Sequence, residues 1–232
     1  MAYQWYKHAD SAMSAAALAE AVAESLKQVL ANRSKAVLAV SGGRSPIAFF
    51  EALSQKDLDW QRVAVTLVDE RIVPVDHADS NTGLVRRYLL QNKAQAATWL
   101  PVIEDGAQGA HLQPEAAVRT ALKHYIQPDV LVLGMGADGH TASLFPQAPQ
   151  LEQGLDCGYA EPLLHTTPVT APHERISMTL AAISATPFVY LAIQGEEKKA
   201  VFQQAAQAED KQFPISYVLN HGKVQCHVHY AD

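Results

Sequence analysis

The chain has 232 residues, 48% of them hydrophobic and 18% charged, with a formal net charge of -6. That content supplies a sizeable core and excludes wholesale disorder, while the acidic balance argues against a nucleic-acid partner, which needs a cationic face. Two cysteines, Cys157 and Cys226, are too few for a disulfide framework or a thiolate zinc site, and neither an apolar run of membrane-spanning length nor a signal peptide at Met1–Lys7 is apparent, so a cytoplasmic protein without membrane association is expected.

The first helix is predicted over 11–31, capped by Asp10 or Ser11, because Leu18, Val22, Leu26, Val29 and Leu30 fall on one stripe. Ala36 to Val40 reads as a short apolar strand, Ser41-Gly-Gly-Arg-Ser45 as a turn, and Pro46 as the first position of the next helix. Val63 to Val68 is a further strand, followed directly by Asp69-Glu-Arg71. Helices are predicted from Ser80 to about Gln91 and from Pro114 to about Ile126. The apolar run Val130 to Leu133 reads as a strand buried on both faces, and it ends in a loop with Gly134, Gly136 and Gly139. Residues 146–173 carry several prolines without a period and read as a long loop that can hold short elements. Strands are expected at Ile176–Leu180 and Phe188–Ile193, and a helix from Glu196 to about Ala206. At the C-terminus Val224, Cys226, Val228 and Tyr230 alternate with Gln225, His227 and His229, as in a half-buried strand. Strands alternating with helices imply an α/β fold, a doubly wound, largely parallel, Rossmann-like sheet with helices on both faces. No repeat or low-complexity linker divides the chain, so one domain over 1–232 is expected.

Open α/β sheets bind ligands at the carboxyl ends of their strands, which selects four segments. In Ser41-Gly-Gly-Arg-Ser-Pro46, glycines fold a strand end tightly into a helix start, and Arg44 adds a cation; the segment is either an anion site or a plain strand-to-helix turn. Gly134-Met-Gly-Ala-Asp-Gly139 matches G-x-G-x-x-G in letters only. Pro146 and Pro149 follow too closely for the long helix a dinucleotide fold requires, so no nicotinamide cofactor is expected. The same loop presents Asp138 and His140; a histidine there can take a proton from water, and Asp138 can orient it or bind a substrate hydroxyl, although both residues also occur in ordinary turns. Arg71 suits an oxyanion or a phosphate, or else a surface ion pair with Asp69 or Glu70, and Arg175 and Lys198 have equally ordinary readings as solvated charges. The chain contains no G-x-S-x-G nucleophile motif. His227 and His229 have no third ligand at metal spacing and are expected to be solvated, so no metal site is expected.

Taken in order, Ser41-Gly-Gly-Arg-Ser-Pro, Asp69-Glu-Arg71, Asp79-Ser-Asn81, Gly134-Met-Gly-Ala-Asp-Gly-His-Thr-Ala-Ser-Leu-Phe-Pro146, Arg175-Ile-Ser and Gly195-Glu-Glu-Lys198 resemble the 6-phosphogluconolactonase family over about residues 36–217. The 134–146 segment is the most specific part. The related glucosamine-6-phosphate deaminases place a glutamate five residues after the histidine, where this chain has Phe145, and a tyrosine where it has Arg71. The family often has tyrosine after the Ser-Asn pair, where Thr82 stands here. The resemblance implies that His140 is a general base activating water on a lactone carbonyl and that Arg71 stabilises the developing charge. Asp138 and Asp69 would position the sugar or the catalytic groups. The 6-phosphate would sit at Gly42, Gly43, Arg44 and Ser45, with Arg175 and Lys198 closing the cluster; spacing from Gly195 favours Lys198 over Lys199. The implied partner is a small sugar-phosphate lactone, with no cofactor and no metal, and the protein is expected to be a monomer or homodimer. A deaminase-like enzyme and a non-catalytic sugar-phosphate sensor are the competing expectations. Neither a metal nor a covalent nucleophile is required, because a lactone is an activated acyl group with a built-in leaving oxygen.

Overall fold

The computed structural model describes residues 3–232; Met1 and Ala2, part of the stretch read for a leader, lie outside the described residues. Helix α1 (Ser11–Asn32) follows the predicted stripe, with Leu18, Val22, Leu26 and Val29 buried, and its cap is Asp10, whose side chain accepts from Met13 N. Strand β2 (Ala36–Val40) is buried along its whole length, as is β6 (Val130–Gly134) up to Leu133. Such runs carry no polar face because both sides of a central parallel strand are covered.

With β1 (Tyr3–Lys7), β3 (Val63–Leu67), β5 (Thr98–Trp99), β9 (Phe188–Gln194) and β10 (Cys226–Ala231), these strands form one seven-stranded parallel sheet in the order β1-β10-β9-β6-β2-β3-β5. From β2 the chain moves outward to β3 and β5, then returns to the other side of β2 at β6 and moves outward through β9 to β10. The reversal lies between β2 and β6, and it opens a crevice at their carboxyl ends. The two loops leaving those ends are the Ser41–Ser45 turn and the loop after Gly134. They are tied directly: Ser41 N donates to Val132 O at 2.9 Å, and Gly134 N donates to Ser41 Oγ at 3.1 Å.

Helices cover both faces. Tyr190 of β9 reaches α1 on one side, its hydroxyl meeting Ser25 Oγ and Ala21 O. On the other, Phe202 of α7 (Glu196–Ala205) packs against Tyr3 and Trp5 of β1. Helices α2 (Ile47–Ser54), α3 (Asn81–Tyr88), α4 (Pro114–His124), α5 (Leu151–Leu155), α6 (Leu180–Ser184) and α8 (Ile215–Leu219) complete the layers. No helix among the described residues is long and apolar enough to cross a membrane.

Several local expectations are corrected. Asp69–Arg71, given no element of its own by the sequence pattern, is a strand, β4, which joins β8 (Arg175–Met178) and β7 (Leu163–Thr166) in a small antiparallel sheet of order β4-β8-β7. Strand β7 and helix α5 are the short elements allowed for within the 146–173 loop, whereas the expected strand at 176–180 ends at Met178, with α6 starting at Leu180. Pro46 caps α2 rather than opening it, and Val224 precedes β10. His229 is buried, not solvated: β1 adds a strand outside β10, and the His229 ring stacks on Tyr6 and His8.

Candidate active site

A cavity of about 460 Å³ opens at the crevice between β2 and β6, of a size that suits a small ligand. Its wall includes Gly42, Gly43, Ser45, Asp69, Arg71, His140, Arg175 and Lys198. Sequence-distant candidates therefore meet on one surface.

The loop after β6 is shaped by backbone. Gly136 N donates to His140 O at 3.0 Å, and Gly139 N to Gly136 O at 3.1 Å, closing a tight turn with Gly139 at φ +76°. A Cβ on Gly136 would lie 2.2 Å from His140 Nδ1 and 2.4 Å from Asp138 Oδ1, so only glycine leaves room for the pair these residues make. That pair is His140 Nδ1 to Asp138 Oδ1 at 2.5 Å, and the same oxygen accepts from His140 N at 3.2 Å. Burial works to raise the Asp138 carboxyl, but the hydrogen bonds and charge of His140 outweigh it and hold that carboxyl below its ordinary value. Asp138 itself is exposed and lies outside the cavity wall. The His140 ring stacks on Phe145, with centroids 4.2 Å apart.

The opposite wall comes from the small sheet. Antiparallel register sets Arg71 of β4 directly across from Arg175 of β8. Neither forms the surface ion pair considered for Arg71. Arg71 instead donates through Nη1 to the Asp79 carbonyl, and Arg175 through Nη2 to Pro172 O at 3.0 Å. Both Nε atoms are buried without a hydrogen-bond partner. Burial, and next the neighbouring Arg71 charge, lower the Arg175 guanidinium from its usual value. Two facing guanidiniums with donors to spare suit an anion.

Glu70, weighed in the sequence only as an ion-pair partner for Arg71, holds this wall in place. It is fully buried and accepts from Arg71 N, Asn81 N, Thr82 N and Thr82 Oγ1 at 2.7–2.9 Å, and from Ser80 Oγ at 3.2 Å. It thereby caps α3 from the neighbouring strand. Burial pushes its carboxyl up, against the pull of those donors. The Asp-x-Asn run is explained too: Asn81 Nδ2 donates to Asp69 O at 3.1 Å, and its amide lies where a Cβ on Gly42 would fall, 2.0 Å from Oδ1.

Ser143, unassigned in the sequence, joins the two walls. Its hydroxyl donates to Asp69 Oδ2 at 2.6 Å, its N–H to Ser177 Oγ at 3.0 Å, and its carbonyl accepts from Thr166 Oγ1 at 2.9 Å. Each strand of the small sheet thus contributes one side chain to the loop that carries His140. The preceding Ala142 is held at φ +49°, a conformation that persists only where surrounding bonds enforce it. One Asp69 oxygen is committed to this clamp.

Gly43 sits at φ +93°, as the turn after β2 requires. Arg44 is exposed and absent from the cavity wall. Lys198 lines the cavity, and burial lowers its ammonium from the usual value, while Lys199 pairs with Glu196 at 2.9 Å.

A model of the family described as glucosamine-6-phosphate isomerases/6-phosphogluconolactonase matches residues 9–227. The chain belongs to this family. A curated 6-phosphogluconolactonase from Neisseria meningitidis serogroup A is 63% identical over 230 residues, 99% of this chain and 100% of that protein. A solved structure from Neisseria gonorrhoeae is 64% identical with a TM-score of 0.98, covering 99% of this chain and 100% of that one. A 6-phosphogluconolactonase structure from Shewanella baltica is 36% identical with a TM-score of 0.91, covering 98% and 97%. Within the family, the stacked Phe145 leaves no carboxylate at the position five residues after His140.

Proposed function

We propose that the chain hydrolyses 6-phospho-D-glucono-1,5-lactone to 6-phosphogluconate, the lactonase step of the oxidative pentose phosphate pathway. The observation that carries this reading is His140, paired with Asp138, lining the same cavity as two guanidiniums with unpartnered Nε atoms. Relatives at 63% identity that are named 6-phosphogluconolactonase support it.

In the mechanism proposed, an ionised Asp138 is acceptor-only, so His140 Nδ1 carries the proton and Nε2 presents its lone pair to a water. Nε2 takes a proton as the water oxygen bonds to the lactone carbonyl carbon. Negative charge gathers on the carbonyl oxygen and is met by Arg71. When the ring C–O bond breaks, the imidazolium returns the proton to the leaving ring oxygen. Arg175, Lys198 and the turn Gly42-Gly43-Arg44-Ser45 hold the 6-phosphate. Asp69 orients the His140 loop through Ser143. A ring-opening deaminase needs a further carboxylate for its proton relay, and Phe145 stands in that place. We further propose that residues 1–232 act as one catalytic domain, as a monomer or homodimer, in the cytoplasm.

The test is lactone hydrolysis above the spontaneous background, with lactone generated in situ from glucose 6-phosphate. Loss of lactone well above background supports the reading; loss at the background rate sinks it.

A further inference from the structure

A cluster outside this mechanism lies at the rim of the cavity. The loop between β4 and α3 brings His77 and Asp79, and the loop between β7 and β8 brings His173, held at φ +69°. His173 Nε2 is 2.9 Å from Asp79 Oδ2, and His77 Nδ1 is 3.9 Å from the same oxygen. The two imidazoles meet edge to face, with centroids 5.3 Å apart. All three ligand atoms lie within 4.8 Å of one another.

We propose that His77, Asp79 and His173 form a binding site for a divalent transition metal of the Zn²⁺ type, and that its occupation slows the reaction in the adjoining cavity. Two imidazoles and one carboxylate are the ligand set that Zn²⁺ and Co²⁺ accept, with water completing the shell. Tetrahedral zinc with bonds of about 2.0–2.1 Å separates its ligands by roughly 3.3 Å. The two separations from Asp79 Oδ2, 2.9 and 3.9 Å, straddle that value, so small side-chain rotations suffice. The His77 Nδ1 lone pair already faces inward, accepting from Asp79 N at 3.1 Å, and a metal would replace that single weak bond. Ligands from two loops of the small sheet also make the site depend on the fold. The Arg71 charge acts on Asp79, and the Asp79 charge on Arg175, so both guanidiniums oppose a dication at the site.

The link to the cavity is geometric. Asp79 and His173 are part of its wall, and the Asp79 carbonyl anchors Arg71. A metal that draws the two loops together shifts that anchor.

The experiment uses the full chain, stripped with EDTA and desalted. Co²⁺ titration is followed by visible d–d absorption, and Zn²⁺ by competition with a chromophoric chelator. One ion per chain is expected. His77→Ala removes a ligand outside the cavity wall; basal activity should persist, while metal affinity falls on the order of 10²-fold or more, since even the outer partners of metal ligands are worth about 10–100-fold. Zn²⁺ should slow lactone hydrolysis by the parent chain and leave His77→Ala unaffected. No saturable binding, or equal binding by the parent and His77→Ala, overturns the site. Binding without any change in turnover overturns the link to the cavity. The rate measurement rests on the lactonase reading, whereas the Co²⁺ spectrum needs no turnover, so the two failures are distinguishable.

Discussion

The wall that carries His140 and the wall that carries Arg71 and Arg175 are made by different means. The first is a loop whose shape comes from absent side chains: Gly136 leaves the space that the His140–Asp138 pair fills, and Gly139 turns the chain at positive φ. The second is two strands whose antiparallel register aligns two arginines, with Glu70 buried behind them. Loop geometry of the first kind is local and readable; register of the second kind is a property of two segments about a hundred residues apart. Ser143 is where the two meet, bonded to Asp69, Ser177 and Thr166 of the small sheet.

Substitutions in each wall sharpen this contrast. The largest effect is expected for His140→Ala, which should lower kcat by about 10²–10⁴-fold, the usual worth of a general base, with binding of 6-phosphogluconate largely intact by calorimetry. Near-parental turnover would break the assignment of the base to the loop wall. Arg71→Ala should cost about 10²–10³ in kcat, as for one oxyanion donor, and a defect confined to KM would move Arg71 to the phosphate instead. Gly136→Ala leaves all functional groups in place but puts a Cβ 2.2 Å from His140 Nδ1. It should reduce kcat by about 10²-fold through misplacement alone, with circular dichroism unchanged. Ser143→Ala breaks the join between the walls and strips a donor from buried Asp69; a loss of about 1–3 kcal/mol in urea unfolding is expected, with a fall in kcat. Arg44→Ala should be mildest, raising KM with kcat nearly constant, because Arg44 is exposed and outside the cavity wall. A pure kcat defect there would contradict a phosphate role for the turn.

The sequence by itself determined five of the seven strands of the central sheet, all but β1 and β5, and the loop wall. Apolar runs at 36–40 and 130–133 mark strands covered on both faces, and the glycines after them mark the crevice, because period and turn chemistry are local. The family motifs also follow from local spelling. The tertiary structure alone decided the small sheet, since three-residue β4 and four-residue β7 carry too little pattern to announce a strand. It alone showed why Asp69, Asn81 and Ser143 stand where they do, as their partners are 12, 34 or 74 residues away. His229 was misread for the same reason. Its alternation with apolar neighbours is the signature of a strand with one wet face, but β1, whose five residues lack a clean alternation, lies outside β10 and stacks Tyr6 on the imidazole. Burial of a polar side chain depends on what packs over it, and that is settled only when distant segments meet.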